Sequence, residues 1–225
     1  QTVLAAAPER FTPAASEQIV TLALPMPDGG TSLFRLTESP VMAPELQSKY
    51  PEIRCYTGSG IDDPTASLKC VLTPQWFHAM IRSAKSGAVF IDPYRQGDTE
   101  HYVVYFKKDL EPETHGFTCH LDGAPVKNDG KTSGAVPDMQ GDCQLRRYRL
   151  ALACTGEYAQ FHGGTTALAL AAMNTTMNRV NGIYERDLAI TMQLIANNNQ
   201  IVFLNPATDG YTNGNAINKI NENQT

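Results

Sequence analysis

The chain has no basic run longer than the pairs Lys107-Lys108 and Arg146-Arg147, so it lacks the electrostatic footprint that holds a phosphate backbone. With 18 Lys and Arg against 23 Asp and Glu, the formal charge is −5, and no nucleic-acid partner is expected. Long apolar runs are also missing. The longest, Ala167 to Met173, falls far short of the roughly 20 residues that cross a bilayer, so no membrane span is expected. The first residues, Gln1-Thr2-Val3-Leu4-Ala5-Ala6-Ala7, offer neither an initiator Met nor a basic segment ahead of the apolar stretch. A removed export signal explains such a start, and so does an arbitrary boundary.

Cysteine is scarce and odd in number: Cys55, Cys70, Cys119, Cys143 and Cys154. At least one thiol therefore stands outside any internal bridge. Cys55 and Cys70 flank Tyr56 to Pro64, a stretch rich in Gly and Asp that predicts two strands folded back beside each other. A disulfide between them is expected and would add about 3 kcal/mol in the chain-entropy model. Two buried free thiols are the alternative.

What is plentiful early in the chain is proline. Pro8, Pro13, Pro25, Pro27, Pro40 and Pro44 exclude long helices and limit strands to short pieces such as Gln18–Leu24 and Thr31–Leu36. Asp28-Gly29-Gly30 between those pieces signals a hairpin. Ala66–Leu72, Ala88–Asp92 and His101–Phe106 read as further strands. One helix is predicted among them over Pro74–Arg82, with Thr73 as N-cap and Pro74 at the first helical position. Asp122 to Asp142 is polar, rich in Gly and Pro, and aperiodic: a linker. It carries Lys127 and Lys131 and ends near Arg146-Arg147, which makes it the expected site of proteolysis.

After the linker the pattern changes. Tyr148–Cys154 reads as a buried strand and Thr165–Glu185 as a helix, with Leu170, Met173, Met177, Val180 and Tyr184 on one apolar stripe that points to a core. Ala189–Ala196 reads as a second strand, Asn197-Asn198-Asn199 as a turn, Ile201–Leu204 as a third strand, and Ala216–Asn223 as helical. The fold class is α+β with an α/β portion: a β-rich unit over residues 1–122, a linker over 123–145, and a βαβ mixed-sheet unit over 146–225. A lone βαβ unit with one more strand cannot cover both faces of a parallel sheet, so the second unit is expected to be incomplete.

Arg147 to Cys154 as first strand, and Met177-Asn178-Arg179-Val180-Asn181-Gly182-Ile183-Tyr184-Glu185-Arg186-Asp187-Leu188-Ala189-Ile190 as helix end running into strand, resemble the start of the reprolysin-like metzincin zinc metalloproteases. The form is that of secreted bacterial enzymes. Gly60 to Ala66, Thr73 to Ile81 and Ile91-Asp92-Pro93-Tyr94 resemble their prodomain. The resemblance implies part of the zymogen of a secreted or cell-surface zinc endopeptidase. Its substrates would be proteins or peptides, added as extended strands to a sheet edge. Its implied cofactor is zinc, and its implied partner is the remainder of the catalytic domain.

The chemistry of that family needs H-E-x-x-H-x-x-G-x-x-H, with Glu as general base on a zinc-bound water. The five histidines, His78, His101, His115, His120 and His162, do not provide it. The zinc helix is expected downstream, and no residue here is expected to be catalytic. Cys119, in Gly116-Phe117-Thr118-Cys119-His120, is the candidate zinc ligand of the latent state, since a prodomain thiolate can displace the catalytic water. Pairing with Cys143, or simple burial, is the alternative. His120 is an unpromising second ligand, because neighbouring strand residues face opposite sides. Asp62, Asp63 and Asp92 read as turn-capping carboxylates beside proline. Glu157 and Asp209 are candidates for a structural calcium, against a plainer reading as solvated surface. The rival from another class is a noncatalytic exported binding or adhesion protein.

Overall fold

The computed structural model describes residues 2–110, 142, 144–212 and 216–223. Helices α1 (Thr2–Ala5) and α2 (Pro13–Glu17) lead into β1 (Val20–Pro25) and β2 (Thr31–Glu38). After α3 (Pro44–Gln47) come β3 (Arg54–Gly60), β4 (Ser67–Leu72), β5 (Phe77–Ser83), β6 (Gly87–Pro93) and β7 (Tyr102–Phe106). These seven strands pair antiparallel in chain order, a meander in which every strand is bonded to its neighbour in sequence. Asp28-Gly29-Gly30 closes the first hairpin as expected. Gly29 takes φ +85°, a conformation in which a side chain would be strained, and the Asp28 carboxylate accepts from the Gly30 N–H at 2.9 Å.

The helix predicted over Pro74–Arg82 is not formed. Thr73 does use its hydroxyl as an N-cap would, accepting from the Trp76 N–H at 2.9 Å, but its own N–H donates to the Trp76 carbonyl at 2.8 Å. Together these bonds close a hairpin turn from β4 into β5. Both faces of β5 are covered, Ala79 and Ile81 by one core cluster and Met80 by the opposite layer. A strand buried on both faces loses its polar alternation, which is why its sequence imitates a helix.

Beyond residue 145, β8 (Arg146–Leu150) and β9 (Ile190–Leu194) pair in parallel. They are joined through α4 (Gly156–Phe161) and α5 (Thr166–Leu188), giving the expected strand, helix, strand unit; α6 (Ala216–Glu222) follows. Thr165 caps α5 by accepting from the Leu168 N–H at 3.3 Å. Leu170, Met173 and Met177 of the predicted stripe are buried and Val180 packs beside them, whereas Tyr184 is 39% exposed.

Two strand expectations fail here. β8 was expected to be buried over Tyr148–Cys154, but it starts earlier, and residues 146–149 are exposed because three of the four are arginines. Ile201–Leu204 is not a strand; it is a single turn over Asn198–Ile201 followed by an isolated parallel bridge from Cys154 to Val202. The fully buried Asn198 explains this. Its amide accepts from the Leu152 N–H at 2.8 Å and donates to the Leu152 carbonyl at 3.1 Å, doing with one side chain what a strand would do with its backbone.

The disulfide expected between Cys55 and Cys70 is also absent: both thiols are free and buried. In the β3–β4 ladder Cys70 stands opposite Tyr56, while Cys55 stands opposite Val71. Offset by one residue, the two side chains leave opposite faces of the sheet. Cys70 joins the cluster of Phe34, Leu36, Leu68, Ile81 and Val89. Cys55 joins the other, which receives α5.

Candidate functional site

The second cluster unites the two halves of the chain. Val41, Met42, Leu46, Ile53, Cys55 and Val71 come from the N-terminal half; Ala169, Leu170, Met173, Met177 and Leu194 come from the unit beyond the linker. Both sets are buried in this one cluster. The chain also extends the parallel pair: Ala43 N–H donates to the Leu194 carbonyl and Leu194 N–H to the Val41 carbonyl, both at 2.8 Å, and Met42 bridges Leu194 in parallel. Residues 41–43 thus occupy the edge of β9 not used by β8, satisfying backbone groups that would otherwise be unpaired.

Along this seam α5 presents asparagines at spacings of four and three. Asn174 lies against the Cys55 thiol, 3.8 Å from its sulfur. Asn178 donates to the Cys70 carbonyl at 3.0 Å, and Asn181 exchanges hydrogen bonds of 2.8 and 2.9 Å with the Met192 backbone. Each of the three buried side chains makes at least one hydrogen bond, which offsets its burial on the apolar side of the helix, although the Asn178 Oδ1 is buried without a partner. Gly182 lets α5 approach closely: a Cβ there would stand 2.8 Å from Lys69 Cγ and 2.9 Å from Met80 Cε.

Two ionic clusters flank the asparagines. Lys69, only 6% exposed, places Nζ 2.9 Å from Glu185, and Arg10 reaches the same carboxylate oxygen at 2.8 Å. Burial pulls Lys69 below the usual lysine range, a pull that Glu185 opposes. Burial also pushes the Glu185 carboxyl up, but the two cations outweigh it and hold that carboxyl low. In the second cluster Asp92 receives His78 Nδ1 at 2.6 Å, the Tyr105 hydroxyl at 2.8 Å and the Arg179 guanidinium from α5. Burial opposes ionisation of Asp92 as well, yet these partners bring its pKa down to about 2.

A small cleft of about 230 Å³ opens beside Asp92, lined by Trp76 and His78 on one side of the seam and Phe161 and His162 on the other. Gln96 fastens its rim by donating to the Phe161 carbonyl at 2.7 Å.

Other sequence candidates fall elsewhere. Asp62 and Asp63 do turn work: Asp62 accepts from Leu33 N–H, and Asp63 accepts from Thr65 and Ser83, which hold it at about 2. Asp92, read as a turn residue, is instead the centre of a cluster at the seam. Asp209 is buried and accepts from the Gly156 and Tyr211 N–H groups at 2.7 and 2.9 Å, so it clamps backbone. Glu157 lies exposed in the first turn of α4. Cys119, His120 and Cys143 lie outside the described residues. Sequence reasoning missed Lys69, Glu185, Arg179 and the three asparagines; the asparagine spacing on a predicted helix was the available signal.

The unit that docks at this seam also resembles a known family. Residues 145–225 match the M12B reprolysin-like metallo-peptidase family. The match covers less than half of the chain and supports a reprolysin-like metalloprotease domain there. No curated protein and no solved structure matches the chain. The M12 metallopeptidases are in general zinc-dependent and act on proteins or peptides. Among the described residues of this reprolysin-like unit and its covering half, no three of His, Cys, Asp and Glu gather as a metal site. These described residues therefore do not fit zinc or calcium. No helix among them is long and apolar enough to cross a membrane.

Proposed function

We propose that the chain is part of the zymogen of a secreted or cell-surface zinc endopeptidase. Residues 1–122 are the prodomain, 123–145 the linker cut on activation, and 146–225 the leading part of the catalytic domain. In this reading the prodomain keeps the enzyme latent, and the chain by itself is inactive. One observation carries it: the β-rich half is built onto the reprolysin-like unit, sharing a core with α5 and pairing with β9. The β-rich half also has a core of its own, but an independent binding module would not be expected to share a second core with its neighbour. Cys119 keeps its proposed role as the latency thiolate, on the sequence argument alone.

The test uses the longest natural product carrying this chain. Zinc content and cleavage of a fluorogenic peptide library are measured before and after cutting within 123–145. The expected result is bound zinc in both states and peptidase activity that rises on cutting, with Cys119→Ala raising activity before the cut. A product that binds no zinc and cleaves nothing in either state would sink this reading and favour a noncatalytic binding protein.

A further inference from the structure

We infer that the open part of the sheet beside the last turns of α5 is a binding site for a small polyvalent oxyanion of the phosphate class. The inference does not rest on the zymogen reading.

On the face of β3 and β4 that receives α5, the directly opposed pairs run Cys55 with Val71, Thr57 with Lys69, and Ser59 with Ser67. Side chains two apart on a strand share a face, so these six belong to one surface. Its first pair lies in the core that α5 covers. The other two pairs line a groove of about 810 Å³, which Gly182, Glu185 and Arg186 of α5 border from the side. Apolar packing thus gives way to hydroxyls and an ammonium where the covering helix draws to its end.

Hydroxyls alone would only meet water, as on many open sheet faces. Charge singles this face out. Arg10, Arg35, Lys69 and Arg186 line the groove against the carboxylate of Glu185, so two positive charges remain in excess even when Asp187, which pairs with Arg186, is counted. The chain as a whole carries −5. Glu185 spends one oxygen on both Lys69 and Arg10. Arg35 makes no ion pair among the described residues; its guanidinium donates to the carbonyls of Ala15 and Ser16 at 2.9 and 3.3 Å, which fixes it in place without neutralising it. Lys69, only 6% exposed, is part of the wall and not a freely solvated surface chain. Held cations in excess, with hydroxyl donors among them, suit an anion that only accepts and takes charge-assisted bonds. Because the cations are spread along the groove, an ion with more than one anionic group is favoured.

The probe is inorganic pyrophosphate, titrated calorimetrically into the full chain in metal-free buffer, with orthophosphate and chloride compared at matched ionic strength. One binding site is expected, tighter for pyrophosphate than for orthophosphate, absent for chloride, and accompanied by a rise in melting temperature. Arg35→Gln is expected to weaken binding about 10-fold, the usual worth of a hydrogen bond to a charged group. Arg35 also holds α2, so a second variant leaves that contact alone. Ser59 is exposed and stands opposite Arg35 on the neighbouring strand. Ser59→Asp therefore supplies the groove with a carboxylate of its own, and is expected to weaken binding about 10-fold or more through like-charge repulsion, with the melting temperature in chloride unchanged. Absence of any heat or stabilisation specific to pyrophosphate, or binding that survives Ser59→Asp unaltered, would overturn the inference.

Discussion

Glu185 makes the buried ammonium of Lys69 tolerable. One of its carboxylate oxygens takes both Lys69 and Arg10, so Glu185→Gln leaves two cations facing each other in a poorly hydrated place. That change is expected to destabilise the protein by about 3 kcal/mol in urea unfolding, by the usual cost of removing one partner from a buried pair. Lys69→Met combined with Glu185→Gln is expected to recover much of the loss, because the uncompensated charge disappears with its partner. Acid should act on the same residues. Asp92 and Glu185 both ionise below their ordinary values of 3.8 and 4.5. Their contribution is therefore complete above those values and is lost as pH falls through the folded values, about 2 for Asp92. The urea midpoint is expected to fall between pH 5 and pH 2, and Asp92→Asn should flatten that fall. None of this was legible from the residues alone. Asp92 precedes proline, as turn carboxylates do, and only the β5–β6 register brings His78 beside it.

At the level of elements, helix α5 came through well in the sequence because caps and a 3.6-residue stripe are local properties, and local properties survive folding. Strand β5 did not. Its hairpin turn uses the same threonine-to-amide bond as a helix start, and its two covered faces erase the alternation that marks a strand. The Cys55–Cys70 pairing failed for a reason of parity: turn residues indicate that two strands meet but not the register in which they do so, and a one-residue offset sends the thiols to opposite faces. Two substitutions probe α5 itself. Gly182→Leu would gain helix propensity in isolation, yet it must displace Lys69 and Met80; the expected net is a loss of about 2 kcal/mol, in the range of overpacked cores. At the other end, Ala189 turns the chain into β9 with φ +53°. A left-handed alanine costs about 1 kcal/mol, so Ala189→Gly is expected to leave the melting temperature unchanged or raise it slightly, where a substitution in ordinary helix would lower it.

Over the whole molecule, composition divides the sequence at about residue 123, whereas one of the two core clusters spans that division and the other lies wholly on its N-terminal side. Composition changes at residue 123 because the linker is polar, but burial is decided by which faces meet, and α5 meets β3 and β4. A single cooperative unfolding transition is expected in calorimetry, with calorimetric and van't Hoff enthalpies equal; two resolved transitions would show that the halves are energetically independent. The strap of residues 41–43 along β9 has a further consequence, colloidal in kind. An uncovered parallel edge ending in Leu194 is a template for any strand of another molecule, and the adjoining apolar face of α5 would add adhesion. While the β-rich half is seated, that template is hidden. A protein that lost this half before a replacement cover was in place would be exposed to self-association, so in the proposed zymogen the order of cutting and covering would bear on solubility as well as on activity.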